Sequence, residues 1–269
     1  HAMLIDAGEN DKGTKLQLYL TKQGIEKLDY LVLTHPDAHH IGGADVIITK
    51  FDIGSVFMTD YEKDNRTYQD VLQALDDKGL NWSVPEPGES YALGGGSITF
   101  LAPVREYGDP NNSSVALIFS NGQNGFLFTG DAQEEAETDI LGTGLSVRAD
   151  VYKVGHHGSD TSSCEAFLEA VRPKYAVISC GEGNSYGHPH SAVLNSLRAM
   201  GVKLFRTDEQ GSIIARSDGE EITWNCAPSE TWQAGERTGS EAGKESRAQE
   251  QSRAEEDSMA PFYVGNQNN

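Results

Sequence analysis

The chain has 269 residues, enough to bury a sizeable core as one large domain or as one domain with appendages. Its net charge of −20 argues against a surface that coats nucleic acid, because phosphate binding depends on Lys and Arg. A local metal site could still bind a phosphate. No run approaches the roughly 20 apolar residues that span a bilayer, so the sequence predicts no direct membrane contact in this segment.

The first part of the chain alternates between strand-like and helix-like patterns. Strand-like runs at 29–33 and 55–58 are each followed by a helix-like segment, beginning near 41 and 68. Short strand-like runs separated by Gly, Pro and Asn turns cover 82–129, and we expect them to be antiparallel. Helices and strands alternate again from 132 to 215. The pattern predicts an α/β fold with mixed sheets and outer helices.

The composition changes near Cys226. Residues 229–258 are mostly Glu, Gln, Ser, Gly, Arg and Ala, with scarcely a large apolar side chain beyond Trp232. We predict one domain over 1–226, a polar linker over 227–259 and the start of a truncated C-terminal domain at 260–269. The three cysteines are widely spaced and form no CxxC pair, so they predict buried thiols rather than a disulfide framework or a zinc knot.

The histidines are strongly clustered. Each cluster follows a predicted strand, so a sheet could bring imidazoles and carboxylates together at one edge, where they would bind a metal. Apart from His1, the clusters are His35, His39 and His40; His156 and His157; and His188 and His190.

The segment from His35 to His40 offers four potential ligands in six residues. We predict that His35 and Asp37 serve one metal position and that His39 and His40 serve an adjacent one, so that two metals are feasible. Asp37 is also a candidate catalytic residue. The alternative is a turn whose histidines cap the following helix.

Asp131 follows an apolar strand and a glycine. This placement suits a carboxylate that bridges two cations about 3.5–4 Å apart. Its alternative role is the N-cap of a helix starting at Ala132. One of His156 and His157 should bind metal and the other should support it or contact substrate, and their spacing does not decide which.

Two further segments supply polar side chains. We predict His188 to be an acid or a phosphate contact and His190 to cap the next helix; a rigid loop with solvent-facing rings is the alternative. We predict that Asn112 and Ser114 donate hydrogen bonds to a substrate oxygen. The alternative is that they only stabilise a turn.

With these residues, the sequence resembles the metallo-β-lactamase superfamily, and within it the ComEC-like branch of DNA-uptake proteins and secreted hydrolases. The resemblance runs from residue 3 to about 216. It implies an αββα sandwich that is N-terminally truncated by two strands, and an extracellular or cell-surface location in a bacterium. The matching segments are 4–8, 33–43, 111–117, 128–131, 153–159, 186–190 and 207–208.

The resemblance also implies a one- or two-metal centre that activates water for hydrolysis, with Asp131 as the bridging ligand. The leading expectation is a phosphodiesterase that acts on DNA or another nucleotide. The alternatives are a hydrolase of small esters, lactones or phosphorylcholine, and an inactive binding module. Position 39 is His where the family usually has Asp. A neutral imidazole there favours Zn²⁺ over the harder Mn²⁺, so we expect one or two divalent ions, zinc more readily than manganese.

Overall fold

The computed structural model describes residues 1–236 and the backbone of residues 262–265. The helices are α1 Gly13–Lys22, α2 Ala38–Ile41, α3 Ala44–Lys50, α4 Arg66–Lys78, α5 Glu134–Gly142, α6 Glu165–Val171, α7 Ser191–Ala199 and α8 Thr207–Gln210. The strands are β1 Ala2–Ile5, β2 Lys27–Leu33, β3 Asp52–Met58, β4 Trp82–Ser83, β5 Ser90–Leu93, β6 Gly96–Ala102, β7 Ala116–Asn121, β8 Asn124–Phe128, β9 Val151–Lys153, β10 Tyr175–Ile178, β11 Lys203–Arg206, β12 Ala215–Ser217, β13 Ile222–Trp224 and β14 Phe262–Gly265.

The strands form two main sheets. The first has the order β14-β1-β2-β3-β4, and the second has the order β11-β10-β9-β8-β7-β6-β5. In the first sheet β1 to β4 are parallel and β14 is antiparallel. In the second sheet β8 to β11 are parallel and β5 to β8 are antiparallel. Both sheets are therefore mixed, and β12 and β13 form a separate hairpin.

Alternation of side chains along the strands builds three apolar layers. In β1, Met3 and Ile5 face the second sheet across a layer that also contains Phe100 and Leu117. The intervening Leu4 packs with the helices on the outer face of the first sheet. A third layer lies between the second sheet and the helices α5 to α7. The result is an αββα sandwich, as the sequence predicts.

Local signals explain the bounds of α4. Tyr68, Val71 and Leu75 bury one face of α4. The Asn65 side chain accepts a hydrogen bond from the Tyr68 N–H at the start of this helix, and Gly79 ends it in the left-handed conformation. Among the described residues, no helix is long and apolar enough to cross a bilayer.

The structure adds one element and corrects another. The sequence patterns assign no element at α1, where Leu16 and Leu20 are buried but Leu18 is 60% exposed. These leucines alternate as in a strand, which hides the helical period. Trp82 lies in β4, which pairs in parallel with β3 of the first sheet rather than joining the antiparallel strands that follow.

The first ten residues of the predicted linker pack on the domain. The Ser229 N–H donates to the Leu204 carbonyl, Trp232 packs against the layer beneath α5 to α7, and the Gly235 N–H donates to the Pro189 carbonyl. The backbone at 262–265, predicted to start another domain, is the edge strand beside β1. The linker from 237 to 259 lies outside the described residues.

Candidate metal centre

The site lies where strands of both sheets end. His35, Asp37, His39 and His40 follow β2, Asp131 follows β8, and His157 follows β9. Since β2 and β8 belong to different sheets, the cluster spans the gap between the two sheets. The strand ends that the sequence predicts to converge therefore do converge.

Asp131 lies at the centre of the cluster. Its Oδ2 atom is 3.1 Å from His157 Nε2, 3.3 Å from His40 Nε2, 3.8 Å from His35 Nε2 and 3.9 Å from His39 Nε2. Ligand atoms of His35, His39, His40 and Asp131 all lie within 4.8 Å of one another, and all four residues are buried. One buried carboxylate thus faces a set of buried imidazoles.

Hydrogen bonds behind the rings fix their tautomers. His40 Nδ1 lies 2.7 Å from Asp6 Oδ2, and His157 Nδ1 lies 2.9 Å from the Ser179 carbonyl, so each Nδ1 is a donor. The Thr34 hydroxyl donates to Asp6 and therefore accepts from His35 Nδ1, 3.1 Å away. All three rings direct an Nε2 lone pair toward Asp131.

This arrangement fits a cation. His40 Nε2 and His157 Nε2 are only 3.0 Å apart, and in the neutral tautomers with a hydrogen on Nδ1 both are acceptors. Within the described residues, both Asp131 oxygens, His35 Nε2 and His39 Nδ1 are buried without a hydrogen-bond partner. Leaving buried acceptors unpaired costs about 1–3 kcal/mol each. A divalent cation would satisfy the Asp131 oxygens and His35 Nε2, and imidazole with carboxylate is a ligand set typical of zinc.

Charges within the cluster shift the titration of its members. Burial opposes protonation of His40, but the Asp131 and Asp6 carboxylates raise its pKa to about 10. Burial lowers the pKa of His35 to about 3. Burial alone would raise the pKa of Asp131, but the imidazoles of His157 and His40 lower it well below its usual range. Without a cation, a proton on His40 thus relieves part of the repulsion between the facing nitrogens.

Asp131 does not cap a helix. The helix α5 begins at Glu134 with Gln133 at its N-cap, so the alternative role proposed from the sequence is excluded. Gly130 before it has φ +54, and a Cβ there would lie 2.9 Å from the side chains of Ser114 and Thr34. Only glycine fits this turn, which delivers the carboxylate into the cluster.

The two histidines after β9 differ in placement. Both have left-handed backbone conformations, φ 46 at His156 and φ 55 at His157, which cost about 1–3 kcal/mol each and are typical of functional sites. His157 is 3% exposed and lies in the cluster. His156 Nε2 is 3.8 Å from Asp131, and its Nδ1 contacts the Thr161 hydroxyl at 3.0 Å. Of the pair, His157 is thus the one set closest to Asp131.

Asp37 lies on another flank of the cluster. Its Oδ2 atom is 3.9 Å from His35 Nε2, and its Oδ1 atom accepts a hydrogen bond from Lys63 Nζ at 2.8 Å. Burial opposes ionisation of Asp37, but His35, His39 and Lys63 lower the pKa of its carboxyl. Asp37 occupies the N-cap position of α2 without a side-chain cap hydrogen bond, so its carboxylate is directed at the site instead.

The loop after β10 brings His188 beside the cluster. The ring of His188 is 5.7 Å from that of His156 and 6.2 Å from that of His157. Burial and the neighbouring imidazoles lower its pKa to about 2, and its Nδ1 has no hydrogen-bond partner within the described residues. His190 makes no side-chain cap bond to α7; its Nδ1 contacts Asp160 instead. His190 thus supports the loop that carries His188.

Asn112 and Ser114 do not face the site as a polar clamp. Asn112 is 3% exposed, donates to Asp109 and accepts from the Gln133 and Ala136 N–H groups. The Ser114 hydroxyl accepts from the Asp131 N–H. Both side chains are committed to holding the loops that position Asp131, and the prediction that they contact substrate is corrected accordingly.

Asp6 is the residue whose role the sequence does not reveal. It follows β1 with φ 60, and its carboxylate accepts from the Thr34 N–H at 2.7 Å, the Thr34 hydroxyl at 2.8 Å and His40 Nδ1 at 2.7 Å. A carboxylate in this position orients the imidazole ring and raises its basicity. The available signal was a carboxylate directly after an apolar strand, the same signal that marks Asp131.

The αββα sandwich carries, at its sheet edge, a buried His/Asp cluster that could hold a metal ion. The chain belongs to the metallo-β-lactamase superfamily, whose sequence model matches residues 1–182.

The chain is also similar to individual proteins. The chain is 34% identical over 213 residues to ComE operon protein 3 of Bacillus subtilis, covering 78% of this chain and 27% of the relative. It is 35% identical over 196 residues to competence protein ComA of Neisseria gonorrhoeae, covering 72% and 26%. The chain thus spans about a quarter of the length of these relatives. Among solved structures, it is similar to Tm1679, described as a metal-dependent hydrolase of the β-lactamase superfamily, with a TM-score of 0.49, 12% identity and coverage of 76% and 85%.

Proposed function

We propose that the chain hydrolyses a phosphodiester at a divalent-metal centre. The observation that carries the proposal is the convergence of Nε2 lone pairs from His35, His40 and His157 on the unpaired Asp131 carboxylate. When bound, divalent cations at such a centre lower the pKa of water and stabilise charge on phosphoryl oxygens.

The ligands divide between two positions. His35 and Asp37 would hold one cation, while His39, His40 and His157 would hold the other, and Asp131 would bridge them. His39 adds no negative charge to its position, so zinc is favoured over manganese there. The identity of the ions and the occupancy of both positions are part of the proposal.

The remaining residues act on the substrate. His188 is neutral at pH 7 because burial lowers its pKa to about 2, so we assign it a hydrogen bond to a phosphoryl oxygen rather than delivery of a stored proton. His156 lies beside it and is the second candidate for this contact.

DNA is the first substrate to test. The sequence resembles the branch found in DNA-uptake proteins, and one relative is named a competence protein. The net charge of −20 favours a second candidate, a small ester, lactone or phosphorylcholine substrate, because a polyanion is repelled. Raising the salt concentration should increase the relative rate on DNA if this repulsion limits binding.

The test is hydrolysis of bis(4-nitrophenyl) phosphate, single-stranded DNA and a panel of small esters and lactones by the full 269-residue chain with Zn²⁺ or Mn²⁺. His35→Ala and Asp131→Ala should each abolish hydrolysis, whereas His1→Ala, at an exposed histidine outside the cluster, should not. Phosphodiesterase activity that is retained in both His35→Ala and Asp131→Ala would refute the proposal. Activity only on the small esters would favour the second candidate.

A further inference from the structure

The rim of the centre needs a group that recognises an anion. Asn112 and Ser114 are committed to the protein's own hydrogen bonds, and the proposed contact from the neutral His188 ring carries no charge, so a cationic contact is still to be found. Among the described residues, Lys63 is the only lysine or arginine that forms an ion pair with a member of the cluster, through Asp37. Its ammonium is a partly exposed cation at the edge of the site, in a chain of net charge −20.

The local structure holds Lys63 at the boundary between site and solvent. It lies in the loop between β3 and α4, and the Asn65 N–H donates to its carbonyl while Asn65 also caps α4. The Lys63 side chain is 29% exposed, whereas that of its partner Asp37 is 6% exposed. The ammonium therefore covers the outer side of a buried carboxylate.

The ammonium has donors to spare. A lysine carries three N–H donors, and the described hydrogen bonds of Lys63 use one of them, toward Asp37 Oδ1 at 2.8 Å. The ion pair with Asp37 fixes the position of Nζ and leaves two donors for an oxygen that arrives from solvent. Charge-assisted hydrogen bonds of this kind are about twice as strong as neutral ones.

We propose that Lys63 binds a non-bridging oxygen of an anionic phosphoryl substrate beside Asp37, and so selects charged phosphodiesters over neutral esters. The inference rests on the proposed phosphodiesterase function and specifies its substrate class. The competing explanation is that Lys63 only neutralises Asp37, in which case its loss would affect charged and neutral substrates alike.

The experiment compares Lys63→Met and Lys63→Arg with the wild-type chain, and uses Lys15→Met on the exposed face of α1 as the matched control. The substrates are methyl 4-nitrophenyl phosphate, an anion, and dimethyl 4-nitrophenyl phosphate, its neutral counterpart. The affinity of the zinc-loaded chain for inorganic phosphate is measured by calorimetry, with the zinc content of each variant checked first.

Lys63→Met should raise KM for the anionic diester and Kd for phosphate by roughly tenfold or more, with kcat changed less than about threefold. Lys63→Arg should retain most of the phosphate affinity, and the neutral triester should respond less than about twofold. Equal losses on the diester and the triester, or an unchanged phosphate Kd, would overturn the inference.

The two proposals fail separately. Phosphate binding that depends on Lys63 without diester hydrolysis would support the anion contact and refute the phosphodiesterase function. Diester hydrolysis that is indifferent to Lys63→Met would refute the anion contact alone. A wild-type chain that binds no phosphate would refute it as well.

Discussion

Replacing Asp6 by Asn should weaken metal binding without touching a ligand. Asp6 Oδ1 accepts from the Thr34 N–H, and Oδ2 accepts from the Thr34 hydroxyl and from His40 Nδ1. An amide has only one oxygen, so in either orientation its NH₂ group faces an N–H donor. The least costly way to avoid this clash between donors is a change of the His40 tautomer. The hydrogen then moves from Nδ1 to Nε2, the atom that should bind the cation.

The expected loss is large enough to measure. Removing a carboxylate behind a ligating imidazole typically costs 10- to 100-fold in metal affinity, which corresponds to about 1.4–2.7 kcal/mol. Competition with a zinc-chelating dye reports the dissociation constant directly. Thermal unfolding of the metal-free protein should show a separate and smaller loss, because one hydrogen bond is broken in both states of occupancy.

Asp150→Asn is the matched control. The Asp150 side chain is 15% exposed, as is that of Asp6, and it also accepts a backbone N–H and pairs with a basic side chain, Lys174. Its loss should lower stability by about 1 kcal/mol and leave zinc affinity unchanged. Zinc affinity of Asp6→Asn within twofold of the wild type would refute the tautomer argument.

Three further outcomes follow. Because the pKa of His40 is raised to about 10, zinc binding at pH 7 should release about one proton and should strengthen as pH rises. Calorimetry in buffers of different ionisation enthalpy measures the number of protons released. Zinc binding without net proton release would contradict this prediction. His39→Asp should favour Mn²⁺ relative to Zn²⁺ by on the order of tenfold, measured by competitive metal titration; an unchanged preference would argue against His39 as a ligand. A Cβ at Gly235 would lie 2.5 Å from the His188 carbonyl, whereas one at Gly142 meets nothing within 4 Å. Thermal unfolding should therefore show that Gly235→Ala costs about 1–3 kcal/mol and that Gly142→Ala costs none; equal stabilities would show that the backbone at 235 yields.

The fold and the cluster were predictable from the sequence for one physical reason. Polar residues that follow apolar strands lie at the carboxyl ends of those strands, and the carboxyl ends of parallel strands share an edge of their sheet. The site forms where these edges of the two sheets meet. His35, Asp131 and His157 obey this rule, and so does Asp6, although only the structure shows that it turns behind His40.

The errors have an equally local origin. Asn112 faces its own loop because it donates to the Asp109 side chain and accepts from an N–H group just before α5. The sequence pattern does not show that the loop and the start of this helix lie close together. Lys63 lies in a loop flanked by acidic residues and gives no periodic signal. Its role is visible only in the structure, where its ammonium donates to the carboxylate of Asp37, 26 residues earlier in the chain.

The central claim is that the imidazole and carboxylate cluster binds metal. Anomalous diffraction at the zinc absorption edge, from crystals of the zinc-loaded chain, tests it most directly. We expect a zinc peak at about 2.0–2.2 Å from His40 Nε2, His157 Nε2 and an Asp131 oxygen, with a second peak beside His35 and Asp37 if both positions fill. Zinc bound elsewhere on the chain, with this cluster free of metal, would contradict the account.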